Sequence, residues 1–158
     1  MDLALECRDV LSGDAALVTR HRLGGADGPD AERQAFETWV STRIASGAYL
    51  GRLACAEGEV IAGAGIVLLD WGPTRGNLGG VCGRVVAVFT EQAWRRRGIA
   101  SRLVRQVMDR AAERGVRDFR LAASTEGAGV YRGLGYQSYG AEMILKGESP
   151  LAHGPRPL

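Results

Sequence analysis

The sequence predicts one α/β domain, a mixed β-sheet flanked by helices, and three observations favour that fold class. Residues 48–70 alternate in hydrophobicity on both sides of Glu57-Gly58, which is typical of a β-hairpin. Apolar positions of residues 99–114 recur at helical spacing between apolar segments at 83–90 and 117–123, a pattern that indicates a strand–helix–strand unit with parallel strands. A chain of 158 residues with 46% hydrophobic content is long enough for one core and short for two.

The remaining elements are predicted from shorter signals. Ser12 is a candidate cap for a helix through about Arg22, and Asp30 for a second helix that ends at Gly47. Residues 83–90 follow the hairpin without an intervening helix, so the first three strands are expected to be antiparallel. A short helix around "GAGVYRGLG" and a last strand around "AEMILK" complete a sheet of about six or seven strands.

The domain is predicted to occupy residues 1–147, followed by a flexible tail at 148–158 that holds three of the five prolines. The N-terminal residues contain no apolar run long enough for a signal peptide or a membrane span, so a cytoplasmic protein is expected, with no membrane partner. The three widely spaced cysteines fit neither a disulfide framework nor a zinc signature. The two histidines, His21 and His153, are remote in sequence, and neither a metal centre nor a catalytic triad is supported.

The sequence "RRRGIAS" at residues 95–101 joins the predicted strand at 83–90 to the long helix. A formal charge of only +2 makes nucleic acid an unfavoured partner, and no surface of stacking aromatics accompanies the arginines. Arginine runs on a balanced surface are most often solvated, which is the alternative explanation. The strand–loop–helix context instead favours an anion site, because the free N–H groups of a helix N-terminus and the fork of an arginine both suit a diphosphate.

These segments together resemble the GNAT superfamily of N-acetyltransferases. The family's central motif, Gln/Arg-x-x-Gly-x-Gly/Ala, is matched by Arg95, Gly98 and Ala100, and "VVAVFT" upstream resembles the family's fourth strand. Downstream, Tyr131, together with Gly135 and Tyr136 in "VYRGLGY", resembles the family's Tyr-x-x-x-Gly-Phe/Tyr segment. The resemblance covers residues 83–145 well, and it implies the GNAT-type fold, in which the sheet splays between its fourth and fifth strands.

What the resemblance implies for function is acetyl-CoA binding, with no metal. The pantetheine arm would run along the fourth strand at Val88, Phe89 and Thr90, and an amide of Val88 or Phe89 would meet the developing oxyanion. Ser124 matches a frequent CoA contact, although a helix cap is an equal alternative. The diphosphate would lie on the loop at a set of consecutive residues: Arg96, Arg97, Gly98, Ile99, Ala100 and Ser101. Arg95 is also counted among the coenzyme-binding residues.

By the same resemblance, Tyr131 is the acid that protonates the leaving thiolate, whereas Tyr136 packs in the core. The segments "GRVVAVFT" and "FRLAAS", at the family's fourth and fifth strands, contain no carboxylate, so a water chain is the preferred route for the amine's proton, with Asp70, Glu91, Glu126 and Glu142 as candidates by rough position only.

The implied activity is acetyl transfer from acetyl-CoA to a primary amine, on a small molecule or a peptide, by direct attack in a ternary complex. A non-catalytic sensor or partner-binding module that keeps the CoA site is the alternative. The acceptor is not predicted, and dimerisation, which is common in the family, is left open.

Overall fold

We describe a computed structural model of the chain, over residues 4–25 and 28–146. In these residues the chain forms a sheet with helices on both faces, and its elements follow in this order: β1 (Glu6–Asp9), α1 (Ala15–Arg22), α2 (Asp30–Ser46), β2 (Tyr49–Ala56), β3 (Glu59–Asp70), β4 (Val81–Thr90), α3 (Ile99–Glu113), β5 (Asp118–Arg120) and α4 (Ala128–Gly133). A 3-10 turn at Ser12–Asp14 precedes α1, and another at Gln92–Trp94 follows β4.

The strands lie in the sheet in their chain order, β1-β2-β3-β4-β5. The first four pair antiparallel, and β4 pairs with β5 in parallel across the α3 connection. The predicted meander and the predicted strand–helix–strand unit are therefore both confirmed. The turn between β2 and β3 is the predicted one, since Glu57 and Gly58 have φ of 51° and 83°, the two positive values that a tight hairpin turn requires.

The sheet carries a hydrophobic layer on each face. Helix α3 covers one face through its buried stripe, which includes Leu103, Val104 and Val107. Burial of each such side chain stabilises the fold by about 1.5–3 kcal/mol. Helices α1 and α2 cover the opposite face through Val18 and Val40. Each face of β4 is thus covered by a different layer, so alternate side chains of this strand meet different helices.

The helix ends differ in part from their predicted caps. Helix α2 ends at Gly47 as predicted, with φ of 77°. The prediction of Ser12 as the first cap is wrong, because Leu11 flanks the 3-10 turn and the carboxylate of Asp14 accepts the Leu11 N–H at 2.8 Å. At α2, Pro29 occupies the capping position and Asp30 is the first helical residue. Neither α1 nor α2 has a side-chain hydrogen bond at its capping position, so the prediction of Asp30 as a cap is wrong as well.

The sheet edges also depart from the prediction. In the described residues the sheet has five strands rather than six or seven, and β5 is only Asp118–Arg120. Strand β1 was not predicted, because its charged residues show no apolar alternation. The predicted last strand at residues 141–146 is wrong, since this segment pairs with none of the strands that the structure describes, and Met143 is 97% exposed. A strand needs a neighbour as well as an apolar sequence.

The predicted tail at 148–158 lies outside the described residues. Within the part of the chain that the structure describes, no helix is both long and apolar enough to cross a membrane.

Candidate active site

The candidate site begins where β4 and β5 separate. Strand β4 pairs with β3 along most of its length, but with β5 only through Cys82, Gly83 and Arg84. Among the described residues, the β5-side edge of residues 85–90 therefore has no strand partner. Successive backbone groups of a strand point to alternate edges, so part of the N–H and C=O groups of this segment are free to bind an extended ligand.

A β-bulge lies in the same stretch of β4. The register with β3 shifts opposite Gly63 and Gly65, and Ala87 has φ of 53°, a left-handed conformation that costs an alanine roughly 1–2 kcal/mol. After the bulge, neighbouring side chains of β4 pack into different layers, one on each face of the sheet. Val88 packs against the α3 layer, and the ring of Phe89 stacks on α1. The bulge thus aims these two neighbours at opposite sides of the sheet.

The loop that follows β4 presents backbone N–H groups. Arg96 and Gly98 have φ of 61° and 73°, and Gly98 is the capping residue of α3 with no side-chain hydrogen bond at the cap. The first N–H groups of a helix have no partner within the helix, and left-handed residues in a loop curve the backbone into a concave anion site. The geometry at this helix start is suited to a phosphate or diphosphate.

Two of the three arginines brace this loop. Arg95 donates from Nε to the carbonyl of Thr90 at 3.0 Å. Arg97 donates to the carbonyl of Ala93 at 3.3 Å, and its guanidinium lies 4.9 Å from the ring centroid of Trp94. Arg96 is exposed. The structure therefore brings the end of β4 and the loop together, and holds the loop by its own side chains.

The first turn of α3 is anchored to the core. Ile99 is buried among the α3 stripe, whereas Ala100 and Ser101 are half-buried at the helix start. A buried anchor directly after the loop limits the movement of the free N–H groups beside it. The predicted residues 95–101 thus form one continuous surface next to β4.

Tyr131 lies on α4 near β5, and the cavity that it lines contains no residue of β4 or of the loop at 95–101. Its ring contacts that of Tyr136 edge-on, with centroids 6.0 Å apart, and it lines a cavity of about 450 Å³. Burial raises the pKa of Tyr131, so its hydroxyl keeps its proton at neutral pH. Such a hydroxyl can serve as a proton donor.

Tyr136 is half-buried and packs against the hydrophobic core, as predicted. Its hydroxyl donates to Sδ of Met108 on α3 at 3.3 Å, and it packs against the α3 layer. Burial, with a smaller contribution from Tyr131, raises the pKa of Tyr136 to about 12. Its hydroxyl is engaged with α3, which distinguishes it from Tyr131.

The Oγ of Ser124 accepts the Gly127 N–H at 3.0 Å in the turn before α4, whereas the capping residue of α4 is Gly127, so Ser124 is not the helix cap of the alternative explanation. The CoA contact implied for it stays a prediction.

Two of the candidate acids have local partners, since Asp70 accepts the Gly72 N–H at 3.1 Å and Glu142 pairs with Arg120 at 3.4 Å. Neither arrangement favours a role as a base.

His21 is the residue that sequence reasoning missed. On α1 it is 3% exposed, and its ring stacks on Phe89 with centroids 4.8 Å apart and an angle of 19°. Burial, assisted by the charge of Arg20, lowers the pKa of His21 to about 4, so the imidazole is neutral at pH 7. The sequence contains no motif around His21, and only tertiary packing places it against β4.

The profile of the Acetyltransferase (GNAT) family matches residues 17–136. The chain belongs to this family. The match includes α1 and α2, where the sequence resembles the family only in the order of its elements. No curated protein matches the sequence.

Solved structures of the family share the fold. A predicted acetyltransferase with acetyl-CoA from Clostridium acetobutylicum is 24% identical, with a TM-score of 0.84 over 95% of this chain and 99% of that one. A GCN5-related N-acetyltransferase from Ralstonia eutropha JMP134 is 28% identical, with a TM-score of 0.82 over 90% and 98%. The aminoglycoside N-acetyltransferase AAC(6')-Iy, in complex with a bisubstrate analogue, CoA-S-monomethyl-acetylneamine, is 16% identical, with a TM-score of 0.72 over 92% and 99%. The GNAT fold expected from the sequence is confirmed.

Proposed function

We propose that this GNAT protein transfers the acetyl group of acetyl-CoA to a primary amine by direct attack in a ternary complex. The observation that carries the proposal is the free edge of β4 beside the unpartnered start of α3. An extended arm bound along residues 88–90 would leave its diphosphate at residues 95–101. The acetyl-CoA and bisubstrate complexes of the structural neighbours support this assignment.

The proposed chemistry uses the free edge of β4 and the hydroxyl of Tyr131. The amine nitrogen bonds to the thioester carbonyl carbon, and the carbonyl oxygen becomes an oxyanion that an amide of Val88 or Phe89 stabilises. The carbon–sulfur bond breaks, and the leaving thiolate takes the proton of the Tyr131 hydroxyl. The nitrogen's surplus proton passes to water, and in the course of the cycle solvent returns a proton to the tyrosinate.

Tyr131 and Tyr136 provide a matched pair for the test, because both are half-buried tyrosines and they contact each other. Tyr131→Phe should lower kcat by about 100-fold or more, the usual contribution of a positioned acid. Its dissociation constant for acetyl-CoA should remain within threefold of wild type. Tyr136→Phe, which loses only the bond to Met108, should keep its turnover.

The measurements are release of free thiol with a panel of amines and titration calorimetry with acetyl-CoA. Absence of acetyl-CoA binding at millimolar concentration would refute the site itself. Binding without thiol release from any amine would favour the sensor alternative. Equal turnover of the two phenylalanine variants would refute the role of Tyr131.

A further inference from the structure

The ring of Phe89, in the free part of β4, is held at its face and at its tip by the end of α1. The buried imidazole of His21 stacks on the ring, with centroids 4.8 Å apart and 19° between the planes. The backbone of Gly25 covers the tip so closely that a Cβ there would lie 3.1 Å from Cζ and 3.2 Å from Cε2 of Phe89. A ring packed in this way has little room to move.

The hydrogen bonds that end α1 fix these two contacts relative to each other. The Gly24 N–H donates to the carbonyl of His21 at 3.1 Å, and the Gly25 N–H donates to the carbonyl of Arg20 at 2.9 Å. These two bonds, with Gly24 at φ of 72°, are the Schellman arrangement of a helix C-terminus. His21 and Gly25 thus form one rigid unit against Phe89, which we call the α1 clamp.

Strand β3 leaves the space that the clamp needs. Gly63 pairs with Phe89, and a Cβ on Gly63 would lie 2.7 Å from Nδ1 of His21 and 3.0 Å from Cδ2 of Leu53. A side chain at position 63 would therefore displace the imidazole or force the strands apart. The stack requires glycine here, and a substitution of Gly63 disturbs the clamp without changing any of its own residues.

The backbone beside Phe89 is the part of β4 that the proposed reaction uses. The Glu91 N–H donates to the carbonyl of Ile61 on β3 at 2.8 Å. Backbone groups alternate between the two edges of a strand, so the N–H of Phe89 also faces β3, and the N–H of Val88 faces the free edge. Of the two amides proposed for the oxyanion, that of Val88 is the one within reach of a ligand on this edge.

The bulge before Val88 needs support from the structure around it. Ala87 has φ of 53°, and strained backbone persists only where its surroundings over-determine it. Strand β3 supports the bulge at one edge, whereas the other edge has no strand partner among residues 4–25 and 28–146. The α1 clamp adds a second restraint, because it fixes the residue that directly follows Val88.

We propose that His21 is a positioning residue for acetyl transfer: the α1 clamp holds Phe89 so that the N–H of Val88 points at the oxyanion of the reacting thioester. This inference rests on the proposed function and adds a residue to its reaction. In this role His21 acts through Phe89 and contacts neither the coenzyme nor the acceptor. A misplaced oxyanion donor stabilises the transition state less, whereas the coenzyme would keep its contacts with the loop at 95–101.

The first experiment removes the ring of the clamp and measures thiol release with the amine that wild-type protein acetylates fastest. His21→Ala should lower kcat by about tenfold to 100-fold, less than the roughly 100-fold to 1,000-fold cost of a lost oxyanion donor. Its Kd for acetyl-CoA should stay within about threefold of wild type, because the donor acts on charge that develops only in the transition state. Val40→Ala, a truncation in the same layer on α2, is the control and should keep the wild-type kcat. Equal kcat values for the two alanine variants would overturn the role of His21.

The second experiment disturbs the same stack from β3. Gly63→Ala, which keeps the imidazole, should lower kcat by a factor similar to that of His21→Ala. In the His21→Ala background, Gly63→Ala should lower kcat by less than about twofold further, because the ring that it displaces is absent. Single losses that multiply in the double variant would mean that the two positions act separately, and would overturn the clamp.

A third measurement reports on the Val88 amide itself and covers the case in which His21→Ala does not fold. When acetyl-CoA is added to wild-type protein, the amide proton signal of Val88 should move downfield as its N–H gains the thioester oxygen as an acceptor. The movement should be smaller in Gly63→Ala and unchanged in Val40→Ala. An equal movement in all three proteins would overturn the inference. Failure of the proposed function would look different, because wild-type protein would then bind no acetyl-CoA or release no thiol with any amine.

Discussion

The buried histidine makes the stability of the fold depend on pH between 7 and 5. In the folded chain the pKa of His21 is about 4, whereas an unfolded histidine has its ordinary value of 6.5. Below 6.5 the unfolded chain binds a proton that the native chain does not bind, so stability is complete above pH 6.5 and is lost as the pH falls towards 4. The lowered pKa is caused mainly by burial, and the charge of Arg20 adds to it.

The magnitude follows from these two pKa values. The loss of unfolding free energy relative to high pH is about 0.2 kcal/mol at pH 7 and about 2 kcal/mol at pH 5. Because His21 is only 3% exposed, the full difference between its folded and unfolded pKa values applies. The carboxyl of Asp14 has a pKa below its usual 3.8, because Arg8 binds it, so it contributes mainly at more acid pH. Between pH 7 and pH 5 the change in unfolding free energy is therefore due mainly to His21.

The assay is urea unfolding at pH 7 and pH 5, with the free energy extrapolated to water. Wild-type protein should lose about 2 kcal/mol between the two values, and His21→Gln, which cannot titrate, should lose less than about 0.5 kcal/mol. His153→Gln should retain the wild-type loss. If His21→Gln shows the same loss as wild type, the shifted pKa does not belong to His21 and the reasoning fails.

Two glycine substitutions test the backbone geometry. Gly98→Ala puts a side chain on a residue with φ of 73°, which should lower the unfolding free energy by about 1–2 kcal/mol and raise the Kd for acetyl-CoA in calorimetry. Gly13→Ala is the control, because this position has free space and no positive φ, and it should change neither the unfolding free energy nor the Kd. An unchanged Kd would mean that the loop at 95–101 does not bind the coenzyme. Gly65→Ala would drive a methyl group into the Tyr49 ring and hydroxyl, and should lower the unfolding free energy by about 1–3 kcal/mol in urea, whereas Gly79→Ala should not. Equal stability of these two variants would contradict the close approach at Tyr49.

Local signals predicted much of the fold. The turn at Glu57-Gly58 could be identified because two adjacent left-handed residues suit few conformations other than a tight hairpin. Helix α3 could be identified because its apolar stripe spans four turns and ends beside Gly115, whose φ is 85°. The loop at 95–101 followed from its place between these elements. In each case the residues that determine the structure are neighbours in the chain.

Contacts between segments that are distant in the chain were either not predicted or predicted wrongly. Strand β1 exists because β2 offers it an edge, and its own residues are mostly charged and exposed. Residues 141–146 have a strand-like sequence but pair with no neighbour among residues 4–25 and 28–146. His21 illustrates the same limit at the site, because its contact with Phe89 joins residues far apart in the chain.

The sequence by itself determined the hairpin, the long helix and the glycine-arginine loop, because each depends on the conformations that adjacent residues can adopt. Only the tertiary structure decided where β4 leaves β5 and which side chain lies over Phe89. Strand separation and burial depend on contacts between segments that are tens of residues apart, and no short stretch of sequence specifies such contacts.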